Sequence, residues 1–387
     1  MTYREKLEMY KNGTLSESEQ IKLEEKIEMV DAISEYLYDG EDIPEIGNLN
    51  LSDNLSEQSD FKQTKNFVKM INTSIRKAFI KLGVTVGVIT LVVAMLIIFV
   101  TPKFVAGFYY NPTEVIATQN DGNDTKRIDI DLSVYTELAI PCQYRNYAVI
   151  EDRGYGEYNI EIPQVSYINK STTLNGTISK NKLSLYNTDI LKYPFANAFK
   201  MPGSKSNGLA AGTAEEAFKA LDELNDNNCY TAYFSLKEYT DYGEFYKWFK
   251  SKGFDEIYYL WCGIKTEDYE NRFLGVSPTA SGPVYAWDYE EYPKLSLLDG
   301  RDGVDIETDI ENEETMKEHF ISMLRYMNDH SDTTELFNID DDWEFKLKFI
   351  EENGMKMYGF AVTAEKEIIK NIANEKEISY VYTTPSI

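Results

Sequence analysis

The chain has 387 residues, 43% of them hydrophobic, which is enough for two or three compact units and excludes wholesale disorder. Its 39 basic and 65 acidic side chains leave a formal charge of -26, which excludes a nucleic-acid backbone as the main partner because phosphates would be repelled. Two histidines (His319, His330) and three cysteines (Cys142, Cys229, Cys262), no two cysteines closer than 33 positions, exclude the usual zinc frames, so neither metal nor cofactor is expected.

The N-terminus reads as a helical hairpin over residues 1–39. Tyr3, Leu7 and Tyr10 share one face of a first helix that stops at Asn12-Gly13. Ser16 and Glu19 then form a capping box, and Leu23, Ile27, Val30, Ile33 and Leu37 continue an apolar stripe towards Asp39-Gly40. Two such helices make a poor core. The stripe Leu7, Tyr10, Leu15, Leu23, Ile27, Val30, Ile33, Leu37 is therefore either hairpin core or a face shared with a partner, and the shared role is the preferred reading. Glu17, Glu24, Glu25, Glu28 and Glu35 read first as a solvated face, and secondly as a negative surface for a basic partner.

Residues 40–60, acidic and rich in Ser and Asn with no helical period, have the composition of a flexible tether. A basic, helix-compatible stretch over 61–81 leads into Leu82–Val100, 19 residues without a charge. At about 1.5 Å per residue they cover roughly 28 Å, close to the hydrocarbon thickness of a bilayer. Apolar residues occupy every face, which argues for a transmembrane helix over a buried core helix, and the 81 preceding residues argue against a cleaved signal peptide. Lys62, Lys65, Lys69, Arg76, Lys77 and Lys81 crowd the N-terminal flank against Lys103 alone on the other, so the positive-inside rule predicts a single-pass protein with a cytoplasmic N-terminus. Residues 1–81 then hold 11 basic and 16 acidic side chains, and the extracytoplasmic remainder 28 and 49.

Beyond the span, alternating runs such as Tyr158–Ile162 and Val165–Ile168 predict a β-rich region over 101–208. From residue 209 the pattern changes to an α/β order. Thr213 and Glu216 cap a helix to about Asn225, Tyr230–Leu236 is a strand and Asp241–Ser251 a helix. Phe254–Ile264 and Pro283–Trp287 follow as strands, then helices at Glu314–Asn328 and Asp340–Glu352, a strand at Lys356–Thr363, a helix at Ala364–Asn374 and a strand at Ile378–Thr383. The expected architecture is an α+β membrane protein: a helical hairpin, one transmembrane helix, a β-rich extracytoplasmic segment, and an α/β domain over 209–387.

Three stretches carry a family resemblance. The opening KLEMYKNGTLSESEQIKLEEKIEMVDAISEYL, a linker, a basic stretch and one span together resemble the membrane-anchored anti-sigma factors of Gram-positive bacteria. In the outer part Leu209-Ala210-Ala211-Gly212-Thr213, Leu260-Trp261-Cys262-Gly263 and Asn353-Gly354-Met355-Lys356-Met357-Tyr358-Gly359 resemble the C-terminal domain of the same sigma factor regulators. The resemblance implies that the N-terminal part captures an extracytoplasmic-function sigma factor at the membrane while the outer domain senses the envelope, with a second membrane regulator or an envelope ligand as a further partner. Residues 1–81 contain neither His nor Cys, so a zinc-bound anti-sigma fold is not expected.

The remaining constellations favour plain readings. Asp299-Gly300-Arg301-Asp302-Gly303-Val304-Asp305 departs from calcium-loop spacing and reads as a solvated turn. Cysteine catalysis would need His319 or His330 to approach in space, so no catalytic residue is assigned and the protein is read as a non-enzyme. The thiols read as buried, with a Cys229–Cys262 bridge as the alternative. Tyr230, Tyr233, Tyr239, Tyr242, Tyr246, Tyr258 and Tyr259 suit half-buried elements, or line a ligand groove. The competing function is a membrane-tethered extracytoplasmic binding or assembly protein.

Overall fold

A computed structural model describes residues 3–37, 60–118, 124–145, 147–165, 171–186, 198–203, 212–254, 257–268, 272–278, 286–297, 310–339 and 341–385. The tether at 40–59, the Asp299–Asp305 turn, the Leu209–Ala211 entry and residues 166–168 and 283–285 of the expected strands lie outside them. The chain divides into two compact units, Met1–Ile98 and Phe99–Ile387.

In the first unit, α1 (Tyr3–Lys11) stops where expected. Gly13, at φ +66°, turns the chain, and its amide donates to the carbonyl of Tyr10. Helix α2 runs Glu17–Leu37. Ser16 and Glu19 do meet, but the hydroxyl donates to the carboxylate (2.8 Å). Helix α3 (Asp60–Met95) then passes into one π-helical turn, Leu96–Val100, and a short helix α4, Thr101–Ala106. Pro102 explains the widened turn: it has no amide hydrogen, and its ring would strike the carbonyl of Ile98 in a regular helix. The whole stretch Lys69–Ala106 is long and apolar enough to cross a membrane, and none of its apolar window is covered by protein.

The second unit holds two main sheets and one helix between them. Strands β3 (Tyr144–Arg145), β4 (Val149–Gly154), β5 (Glu157–Val165), β6 (Ser171–Ser179) and β7 (Lys182–Leu185) form an antiparallel sheet, with β3 and β4 both on β5; a separate ribbon pairs β1 (Val115–Thr118) with β2 (Asp124–Lys126). The sequence reading of this region as mainly β missed a helix, α5 (Arg127–Ala139), buried along most of its length.

The larger sheet has the order β10-β9-β11-β8-β12, built from β8 (Cys229–Asp241), β9 (Tyr259–Ile264), β10 (Leu274–Val276), β11 (Lys356–Glu365) and β12 (Ile378–Pro385). Every pairing in it is antiparallel. The alternation of helices and strands is real, but it builds no parallel crossover sheet, and β9 begins at Tyr259, five positions after the expected start. Phe234, Leu260, Phe360 and Val362 face a core closed by α7 (Tyr242–Ser251), α8 (Glu313–Asp329) and α11 (Lys366–Ala373). Tyr233, Tyr259, Trp261, Tyr358 and Ala361 point the other way, onto Cys142, Ala198 and Phe199. Burial on both faces explains the nearly continuous apolar reading of these strands.

Helices α9 (Ser331–Leu336) and α10 (Trp343–Asn353) complete the unit, and α6 (Ala214–Ala220) starts on a full capping box in which the Thr213 hydroxyl accepts from the Glu216 amide. Helix α5 serves two cores. Ile128 and Leu132 pack with Tyr158, Ile160 and Leu174 of the smaller sheet. Ile130, Val134 and Leu138 pack with the larger one. Each set is spaced by four, so two helical stripes are interleaved along one helix.

Candidate functional site

The expected partner face lies on α1 and α2. Tyr10 pins the pair by donating to Glu24 across 2.7 Å. Leu23 is only 4% exposed, whereas Ile27 (36%), Val30 (59%) and Ile33 (42%) are open, so the stripe is covered at its start and bare beyond it. Tyr10 and Leu15 are half-buried, and the side chains of Leu7 and Leu37 lie outside the described set. Ile21 and Met29, which the stripe omitted, are also exposed. Two short helices cannot enclose five such side chains, so these stay exposed on one helix.

The second unit contains buried acids that the sequence reading passed over. Asp131 is fully buried: Oδ1 accepts from the Tyr326 hydroxyl (2.7 Å) and the Thr333 hydroxyl (3.0 Å), and Oδ2 accepts from Tyr110. Arg127, one turn earlier, stands 3.7 Å from that carboxylate and 3.5 Å from Glu114, and also meets Asp332. Burial raises the Asp131 pKa, opposed by its hydrogen bonds and by Arg127. Burial and the Asp131 charge push both phenols well above their usual value, so they remain donors. Asp129, which accepts the Ala148 amide at 2.8 Å, is raised by burial to about 6. The Arg127/Asp131 spacing of four was the signal in the sequence.

A second polar cluster sits farther along α5. His319 is fully buried; Nδ1 lies 2.6 Å from the carbonyl of Lys294 and Nε2 lies 2.9 Å from Glu137 Oε1. The same Glu137 oxygen accepts the Ser277 amide (3.1 Å), and the Glu137 carbonyl accepts the Trp261 indole N–H (2.8 Å). Both imidazole nitrogens are thus occupied, Nε2 holding α8 to α5 and Nδ1 holding it to the Lys294 segment, while Glu137 links α5 to the sheet. His330 is likewise engaged, Nδ1 lying 2.8 Å from the carbonyl of Tyr326. All three thiols are free; burial raises Cys142 to about 12, Cys262 well above its usual value, and Cys229 to a lesser extent. No bridge joins Cys229 and Cys262, which lie on different strands. Raised thiols are weak nucleophiles at neutral pH.

Of the seven tyrosines, Tyr230, Tyr233, Tyr242, Tyr246 and Tyr259 are buried in the core, Tyr239 is half-buried and Tyr258 is exposed. A cleft of about 390 Å³ does open between β8, α7 and the start of β12, but its aromatic walls are Phe245 and Trp248. Among the described residues no group of histidine, cysteine and carboxylate side chains is arranged to hold a metal ion.

The glycine and aromatic motifs of the second unit have a steric cause. A Cβ on Gly263 would lie 2.5 Å from the Tyr358 ring, and one on Gly359 would lie 2.4 Å from the carbonyl of Phe234 and 2.8 Å from Phe199. Trp261, Phe199 and Tyr358 therefore close on the sheet only where the backbone is bare. Gly354, at φ +74°, ends α10 and sends the chain into β11.

The comparisons with known proteins agree with this geometry. Residues 221–382, which span the larger sheet and its helices, match the family described as sigma factor regulator C-terminal. Over those residues the chain is similar to the sigma factor regulators. A relative named probable anti-sigma-M factor YhdL, from Bacillus subtilis (strain 168), is 21% identical over 97% of this chain and 95% of its own length. No solved structure matches.

Proposed function

We propose that this chain is an anti-sigma factor that holds an extracytoplasmic-function sigma factor at the membrane through its N-terminal helical pair and receives an envelope signal through its outer unit. The regulator domain and the full-length relative support the anti-sigma role. The observation that carries the mechanism is the bare apolar run of α2, where Ile27, Val30 and Ile33 lack cover. A helix face of this kind seats in a groove of its partner, and burial of three to five such side chains provides the affinity. The partner-binding set proposed is Leu7, Tyr10, Leu15, Leu23, Ile27, Val30, Ile33 and Leu37, with Leu23 acting inside the pair. Residues 1–39 are cytoplasmic and residues 101–387 outside, on the charge bias flanking a single span. The protein is a regulator, not an enzyme.

The test is recovery of a sigma factor with the full-length chain from detergent-solubilised membranes, alongside transcription of that factor's targets. Replacing Ile27 and Val30 with Glu should abolish recovery and raise transcription, because unpaired charge in an apolar interface is costly. Glu28→Lys is the control; Glu24 is unsuitable because it accepts from Tyr10. If the double variant still represses, or no sigma factor is recovered with the wild type, the protein is a tethered extracytoplasmic binding protein instead.

A further inference from the structure

The turn between β4 and β5 is fastened to the end of the apolar helix. The Tyr155 amide donates to the carbonyl of Pro102 (3.3 Å), and the Lys180 amide donates to the carbonyl of Gly156 (2.7 Å). The approach is close enough to need glycine on both sides. A Cβ on Gly154 would stand 3.1 Å from Pro102, and one on Gly156 would stand 2.9 Å from the Tyr109 ring, both residues at positive φ. Lys180 Nζ lies over the Tyr109 ring at 5.5 Å.

That fastening fixes a height. Pro102 is two residues past Val100, so the turn sits about 3 Å along the axis beyond the last residue of the uncharged run, and Phe104 about 6 Å beyond it. The headgroup layer on each side of a bilayer is roughly 5 to 7 Å deep. Phe104 and Phe108 form an edge-to-face pair with centroids 5.2 Å apart. They are 67% and 69% exposed, and Tyr155, held at φ 58°, is 44% exposed. A bulky residue in that backbone region is costly, and here it leaves the side chain open to its surroundings. Exposed Lys103, Arg153, Lys180 and Lys182 flank the same turn. The neighbouring acids are tied down locally, Asp152 accepting the Gly154 amide (2.7 Å) and Glu157 the Ser179 hydroxyl (2.8 Å).

We infer that this turn and the helix end form a platform on which the outer unit contacts the bilayer surface, with Phe104, Phe108 and Tyr155 in the interfacial layer and the four cations directed to lipid phosphates. Aromatic rings and long basic side chains are the residues that favour this layer, and the apolar helix runs directly into it. The inference rests on the reading that Leu82–Val100 crosses the membrane.

The test places a fluorophore through a single introduced cysteine, in a Cys229→Ser background, at Val92, Tyr155 or Tyr258 of the full-length chain. The protein is reconstituted in phosphatidylcholine vesicles, with and without phosphatidylglycerol, that carry a lipid-borne nitroxide quencher. Quenching at residues 92 and 155 with none at 258 is the result expected. Quenching at 92 with residue 155 as unquenched as 258 overturns the platform while leaving the span intact, and equal quenching at all three overturns it too, since contact would not be local. An unquenched residue 92 overturns the span and the platform together. In the charge arm, Lys103→Glu with Arg153→Glu should reduce quenching at 155 in the phosphatidylglycerol vesicles and leave 92 unchanged; no change there removes the cations from the proposal.

Discussion

Tyr326 donates its phenolic hydrogen to Asp131 across 2.7 Å, joining residues 195 positions apart in the chain. Tyr110, from the segment just past the apolar helix, donates to the other oxygen of the same carboxylate. One buried acid thus ties the stretch that follows the apolar helix, helix α5 and helix α8 together. Removing it should be expensive: Asp131→Ala leaves the buried Tyr110, Tyr326 and Thr333 hydroxyls without their acceptor, and a loss of about 3–5 kcal/mol is expected. Asp131→Asn, which keeps a carbonyl, should lose less. Denaturant unfolding of the detergent-solubilised chain, followed by tryptophan fluorescence, distinguishes the two. Equal midpoints for Asp131→Ala and the wild type would show that the network contributes nothing.

Asp129 should make the second unit pH-sensitive. Its folded pKa, about 6, lies above the unfolded value near 3.8, so the folded state holds a proton that the unfolded state has already released. Stability is therefore highest at acid pH as far as this group is concerned, falls as pH rises between about 4 and 6, and levels off above that. Asp131, raised in the same direction by burial, adds to the trend. Asp129→Asn keeps an acceptor for the Ala148 amide and should flatten this slope, leaving the variant about 1–3 kcal/mol more stable than wild type at pH 7. Unfolding midpoints measured from pH 4 to pH 8 decide it; identical slopes in variant and wild type would contradict the assignment.

Gly263→Ala should damage the larger sheet although it adds only a methyl group. The new carbon would meet the Tyr358 ring at 2.5 Å, and Tyr358 is itself enclosed by Phe199 and Phe273. Overpacking of this kind costs roughly 1–3 kcal/mol. The companion change Tyr358→Leu should recover part of the loss by making room; if Gly263→Ala is neutral alone, the close approach does not explain the motif.

Thr213→Ala removes the hydroxyl that accepts the Glu216 amide at 3.2 Å and donates to the Glu216 carboxylate at 3.0 Å, leaving that carboxylate only the backbone amide of residue 213. A loss of about 1 kcal/mol is expected, with Thr213→Ser close to neutral. Thermal unfolding curves for the two variants give the comparison directly.

The N-terminal helices and Thr213 cap were legible because helical period and cap chemistry are local. Arg127–Ala139 was not. Its run of Ile128, Ile130, Leu132 and Val134 alternates as a strand does, and only the packing reveals two stripes spaced by four and shared between two cores. The same helix hid Asp129 and Asp131, whose alternation with those apolar residues gives no sign of burial. The antiparallel order of the larger sheet was equally out of reach, since helices between strands predict nothing about direction once connections are long. On α2 the sequence marked the exposed Ile27, Val30 and Ile33 but could not tell that Leu23, on the same stripe, is covered.

The shared helix also decides where the chain can be cut. A fragment trimmed to residues 221–382 would leave behind Ile130, Val134 and Leu138 on one face of its sheet and Cys142, Ala198 and Phe199 on the other. Both surfaces would be left greasy, and such a piece should be recovered from inclusion bodies. Any fragment of this unit does better to keep everything after the apolar helix in one piece.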